Sequence, residues 1–308
     1  MGSPTPPCSG LSSSSVCLLA LTLFALLALV SLQRIEQQLK VAYEDDHIII
    51  IDKPSGVLTT ATEENIPCLS QAVYKYCQEK GKETVSLDQM VVHRLGMDTS
   101  GLIVFAKTLD AVRGMNTLFR TRKITRQYEA LVCGHLPEGS ADQGLINLPL
   151  MRDYEHPPFM RISTDEHQRN LIDLDPLVVG RKLLEAPRAS LTHYQVESRE
   201  NLKNNEDCPV TRLTLNSISG RTHQLNVHCA AFGHPIVKDS VYGYQGQAAP
   251  FGGLNAADVL SSNPASEDLQ KAIHAAASDM SMCVHAKLIR FKHPVSKEEV
   301  EVKSPAPF

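Results

Sequence analysis

Six short runs of strand-forming residues constrain the fold of this 308-residue chain more than any other feature. HIIII (His47 to Ile51), VVHRL (from Val91), GLIVFAKT (from Gly101), EALVCG (from Glu129), HYQVES (from His193) and TRLTLNS (from Thr211) are rich in β-branched or aromatic residues and are separated by turns. Leu109 to Phe119 has helical spacing, with Asp110 available as a cap. Thr222 to Phe232 also reads as a helix, ended by Gly233. Because the strands arrive in adjacent runs and do not alternate strictly with helices, the pattern predicts an α+β fold on a largely antiparallel sheet.

An apolar content of 43% is enough for a real core in one large domain or two modest ones. With 30 basic against 34 acidic residues, the overall charge of −4 does not announce a nucleic-acid binder. Its distribution says more. Between Val91 and Arg126 stand seven basic residues (Arg94, Lys107, Arg113, Arg120, Arg122, Lys123, Arg126) against two acids, Asp98 and Asp110. Such a window suits a phosphate backbone, and equally the RTRK part of it suits a solvated helix end. The eight cysteines are scattered without a CxxC pair and read as reduced, packed thiols. His223 and His228 lack the i, i+4 spacing of a helical metal pair, so no metal site is expected.

Residues 1–40 are set apart from the fold. The first 33 carry no charged side chain, and residues 16–32 (VCLLALTLFALLALVSL) are nearly all apolar. That length is at the lower limit of a membrane span, so the run is either a signal-peptide core or a membrane anchor. Arg34 and Lys40 behind it would keep the following domain cytosolic if it anchors. Organelle targeting and a misplaced start codon are the other readings, and Pro6 breaks the myristoylation pattern. Residues 41–308 form the folded domain, with a polar loop at Met151 to Asn170 and a longer segment, read as an insertion, at residues 244–280.

The segment HRLGMDTSG (His93 to Gly101) resembles the HRLDxxTSG signature of the RluA-type RNA pseudouridine synthases. YEDDHIIIIDKPSGVLTT, RQYEALVCGHL, INLPLMRD, TRLTLNSISGRTHQLNVHCAAFGHPIVKDSVYG and MCVHAKLIRFKHP follow the family's order as well. The resemblance runs from about Val41 to Phe308. It implies a bent mixed sheet whose cleft holds the active site, no cofactor, structured RNA (rRNA or tRNA) as partner, and a monomer.

Two positions depart from the family pattern. Where the family has the aspartate that acts on the target ribose, this chain has Gly96. Where the His-Gln-Leu of the second motif is followed by an arginine paired with that aspartate, it has Asn226. Glycine supplies neither nucleophile nor base. Breaking one member of a buried ion pair costs ~3–5 kcal/mol, whereas loss of both is nearly neutral, so the two changes make sense together. The bland alternative for Gly96 alone is a sequencing or gene-model error, since one base change converts an aspartate codon to a glycine codon. Asp98 is displaced by two residues, ~6–7 Å in extended chain, too far to substitute.

By resemblance, Tyr128 stacks on the target base, and His93, Arg94, Thr99, Ser100, Arg221, His223 and Gln224 contact the substrate. Three functions follow as expectations. The chain is a pseudouridine synthase with impaired isomerisation, a non-catalytic RNA-binding paralogue, or a membrane-tethered scaffold without RNA contact.

Overall fold

The computed structural model describes residues 30–62, 66–81, 83–139, 142–172, 174–175, 177 and 180–308. Nine strands make the main sheet: β1 (Lys40–Glu44), β2 (Ile48–Lys53), β3 (Ser100–Ala106), β4 (Thr125–Cys133), β5 (Gln143–Asn147), β8 (Leu191–Asn201), β9 (Pro209–Ser217), β10 (Val284–Lys292) and β11 (Glu299–Lys303). Their order is β1-β2-β3-β10-β4-β9-β8-β5, with β11 on β10. A separate hairpin pairs β6 (Leu150–Arg152) with β7 (Met160–Ile162). The helices that position the site are α1 (Leu69–Glu79), α2 (Leu87–Met90), α3 (Leu109–Arg120), α4 (Asp165–Ile172), α5 (Gln224–Ala231) and α6 (Glu267–Ala276).

The fold is α+β with a largely antiparallel sheet, as the spacing of strand runs predicts; among the described residues of the main sheet, only β3 and β10 pair in parallel. The period of two along HIIII decides which core each isoleucine enters. Ile49 and Ile51 join one cluster with Leu69, Val73 and Cys77 of α1, while Ile48 and Ile50 join another with Ala111 and Met115 of α3. Both faces of β2 are therefore covered, and a continuous isoleucine run is what that requires.

Three local expectations change. VVHRL is not a strand: only Val91 makes a bridge, to Phe105, and the rest is loop. The cap of α3 is Thr108, whose Oγ1 accepts the Ala111 N–H at 3.4 Å, and Asp110 instead lies in the first turn, where it opposes the helix dipole favourably. The segment Met151 to Asn170 is not plain loop but contributes the β6–β7 hairpin and most of α4.

Residues 244–280 include α6, capped by Ser266, and pack Ala265, Ile273 and Ala277 against Leu131 and Cys133 of β4. Cys8, Cys17 and residues 16–29 of the apolar run lie outside the described residues. Residues 30–37 are helical. Among the described residues no helix is long and apolar enough to cross a membrane. The six described cysteines are all buried.

Candidate active site

The signature loop is fixed from below by a buried lysine. Lys53, at the end of β2 and only 1% exposed, donates from Nζ to the carbonyls of Pro54 (2.9 Å), Val57 (2.7 Å) and Met97 (2.8 Å). Burial pushes its pKa down to about 7, with the Asp98 carboxylate pulling the other way. Three carbonyls match the three N–H groups of an ammonium. The Gly56 N–H also reaches the Met97 carbonyl, and Ser55 Oγ donates to the Asp98 carbonyl at 2.7 Å. The Lys-Pro-Ser-Gly turn thus grips the loop at 97 and 98 through backbone atoms.

At the other end of the loop, β3 enters the sheet beside β10. Gly101 (φ +104°) stands where a Cβ would lie 2.5 Å from the backbone N and O of Ala286, so only glycine permits this approach. Ser100 is buried, its Oγ 2.9 Å from His285 Nδ1. β10 pairs with β3 only at Ser100 and Gly101. Beyond that point another acceptor is needed, and His93 supplies it: its Nε2 accepts the Val104 N–H at 3.0 Å. That bond puts the neutral ring's proton on Nδ1, and burial followed by the Arg126 charge lowers the His93 pKa to about 3.

Gly96 itself is exposed and its φ is not positive. A Cβ there would approach only the Thr99 Oγ1, at 3.3 Å. The backbone would therefore accept an aspartate with a small movement of one hydroxyl. Thr99 closes the turn by donating its N–H to the Gly96 carbonyl at 3.2 Å. Arg94 is exposed and lines a 440 Å³ cavity with Asp88, Val92 and His93.

The second motif approaches from α5. His223 is the N-cap residue in a left-handed conformation (φ 51°), so the helix starts at Gln224, two residues later than its sequence suggests. Gln224 is buried and fully engaged. Its Oε1 accepts from the Arg221 N–H and Ser219 Oγ, and its Nε2 donates to the Leu191 carbonyl and Thr192 Oγ1. His223 faces solvent 5.7 Å from the Tyr242 ring. The protein mass around it lowers its pKa, and Asp239 and Asp98 both oppose that shift, which puts both carboxylates near its ring. Tyr128 on β4 is buried in a cluster with Leu95 and Leu225, the neighbours of Gly96 and Asn226. Leu95, Tyr128 and Leu225 thus belong to one continuous core.

The partner of Asn226 is a residue that sequence reasoning missed. Asn226 Nδ2 donates to Asp239 Oδ2 at 2.8 Å, while Asp239 Oδ1 accepts the N–H groups of Val241 (2.9 Å) and Tyr242 (3.0 Å). Asp239 is 3% exposed. Burial raises its pKa, and the bonds from Asn226, Tyr242 and Val241 only partly oppose this. The clue in the sequence is the single charged pair in HPIVKDSVYG, downstream of a strongly apolar helix.

Asp153, Glu155 and His167 bring ligand atoms within 4.8 Å of one another. The Arg161 guanidinium already serves as their cation, 3.0 Å from Glu155 and 3.9 Å from Asp153. These residues form an ion-pair network and do not fit a metal.

A family model described as RNA pseudouridylate synthase matches residues 47–231. The dual-specificity RNA pseudouridine synthase RluA of Pasteurella multocida is 32% identical over 270 residues, covering 88% of this chain and 94% of that protein. The chain belongs to the RluA-type RNA pseudouridine synthase family. The ribosomal large subunit pseudouridine synthase D of Haemophilus influenzae is 30% identical, over 87% of this chain and 68% of that one. The human RNA pseudouridylate synthase domain containing 4 protein shares the fold with a TM-score of 0.59 at 19% identity, over 90% of this chain and 92% of that one.

Proposed function

We propose that this family member binds structured RNA, ribosomal or transfer, and holds a flipped uridine in the cleft at loop 93–100, with isomerisation severely impaired or absent. Family chemistry isomerises uridine to pseudouridine by breaking the bond from base nitrogen to sugar, turning the base and rejoining it through carbon 5. Unstacking the base costs a few kcal/mol, offset by stacking on an aromatic ring and by phosphate contacts. Tyr128 is the stacking ring in this reading, and Arg94, Arg221 and His223 are the groups that reach RNA. Ser100 and Gln224, through their side chains, His93, through Nε2, and Thr99, through its N–H, hold the loop and helix that carry them.

The observation that carries the impairment is the pair Gly96 and Asn226. Position 96 offers no carboxylate, and the side chain at 226 is committed to Asp239. Loss of a nucleophile typically reduces turnover ~10⁴–10⁶-fold. Residues 41–308 act as one synthase domain in this reading.

Pseudouridine formation on bulk ribosomal and transfer RNA tests it with four chains: unaltered, Gly96→Asp, Asn226→Arg, and both together. Only the double variant is expected to turn over well. An aspartate alone would sit near Asp98 and Asp239 without a cation, and an arginine alone would pair with Asp239 without providing a nucleophile. Turnover by the unaltered chain at the level of the double variant would defeat the proposal.

A further inference from the structure

The turn from α3 into β4 and the loop from β9 into α5 enclose a second concavity of about 250 Å³, lined by Phe119, Arg122, Arg126, Ser217, Ile218 and Ser219 among others. No acidic side chain lines it. We propose that this groove is a phosphodiester site, holding the RNA backbone next to the nucleotide that enters the cleft. The inference rests on the RNA-binding reading above and names where that contact is made.

Three observations support it. First, Arg126 is built into the groove with unused hydrogen-bonding capacity. Its guanidinium lies 5.7 Å from the centre of the Phe119 ring, and its Nε is sealed from solvent with no hydrogen-bond partner. Gly220 (φ +63°) makes room for it, since a Cβ there would come 2.5 Å from the guanidinium nitrogen. The fixed, unpaired charge behind the groove wall attracts an anion into the groove without any contact at Nε itself.

Second, like charges converge here. Arg221 feels the positive charge of Arg188 and Arg122 in addition to its own burial. Among the described residues Arg122, Arg126 and Arg221 have no carboxylate partner, although ion pairs are common elsewhere in the molecule. Third, the groove borders the candidate active site. The Phe119 ring that lies under Arg126 stacks at 4.6 Å on His93, the first residue of the signature, and the Ser217 to Arg221 loop leads directly into His223 and Asn226. A polymer running from cleft to groove fits this layout better than an isolated small anion does. Ile218, 41% exposed at the rim, offers an apolar surface to a sugar.

The test uses the full chain and bulk transfer RNA, with binding measured across a salt series. Arg122→Gln and Arg126→Gln are each expected to weaken binding and to make the slope of log K against log salt shallower by about 1. Lys271→Gln, an exposed cation on α6, controls for general loss of charge and should leave the slope unchanged. Circular dichroism establishes that each variant is folded; if Arg126→Gln is not, the exposed Arg122 decides alone. Salt-dependent binding by the unaltered chain with unchanged slopes in the groove variants overturns the groove and leaves RNA contact standing. Absence of salt-dependent binding by the unaltered chain overturns both. Binding of inorganic pyrophosphate that depends on Arg122 while RNA binding does not would make this a small-anion site and also overturn the proposal.

Discussion

Asn226 and Asp239 show what happens when a buried carboxylate is left with a neutral neighbour. The amide supplies one hydrogen bond at 2.8 Å but no charge, so burial raises the Asp239 pKa above the ordinary 3.8. A raised carboxyl pKa means that the folded state holds its proton more tightly than the unfolded state. The associated stability is complete below pH 3.8 and declines as pH rises through the folded pKa. Asp239→Asn keeps the acceptors for Val241 and Tyr242 and removes the titration. Its stability relative to the unaltered chain should therefore improve steadily from acid to neutral pH in denaturant melts. A difference that stays flat, or moves the other way, would mean that the carboxylate is already well compensated. At position 96 the geometry makes a separate forecast: Gly96→Ala, which adds a Cβ and no charge, should change folding stability by no more than about 0.5 kcal/mol, because only the Thr99 hydroxyl must yield. A loss of several kcal/mol in the same melts would show that the loop does not accept a side chain.

At the scale of elements, the signature loop depends on two neighbours, the Lys-Pro-Ser-Gly turn and β10. Lys53→Met would strip three carbonyls of a shared donor inside the protein and should destabilise by about 2–4 kcal/mol in denaturant unfolding. A neutral result would mean that the bonds from the Gly56 N–H and the Ser55 hydroxyl suffice. The strands themselves were legible because β-branched runs with a period of two have few alternatives, and the isoleucines of β2 sort into their two cores accordingly. VVHRL deceived because its propensity is that of a strand, while its place is set by an unfilled stretch of β3 edge. A side chain, His93, answers the Val104 N–H where a strand would have used a carbonyl. Propensity does not report such a tertiary demand. The same limit applies to the start of α5, where His223 takes a left-handed conformation, and to Asp239, whose role is visible only once α5 and the following loop are packed together.

For the whole molecule, the sheet of the family is intact, and the loop at 93–100, Tyr128 and the arginine-lined groove are built on it, with glycine at 96 and asparagine at 226. In the proposed reading the fold and the RNA contact are kept while the acid and its cation are lost. This division predicts separable losses: RNA affinity should survive in a chain that does not isomerise. The most direct measurement is single-turnover pseudouridine formation on one RNA at saturating protein, comparing the unaltered chain with Gly96→Asp/Asn226→Arg so that binding does not limit either. The double variant should be faster by a factor of at least ~10³, in line with restoring a missing nucleophile. Equal, measurable rates in the two chains would show that isomerisation does not need a carboxylate at position 96, and no turnover by the double variant would likewise contradict the account.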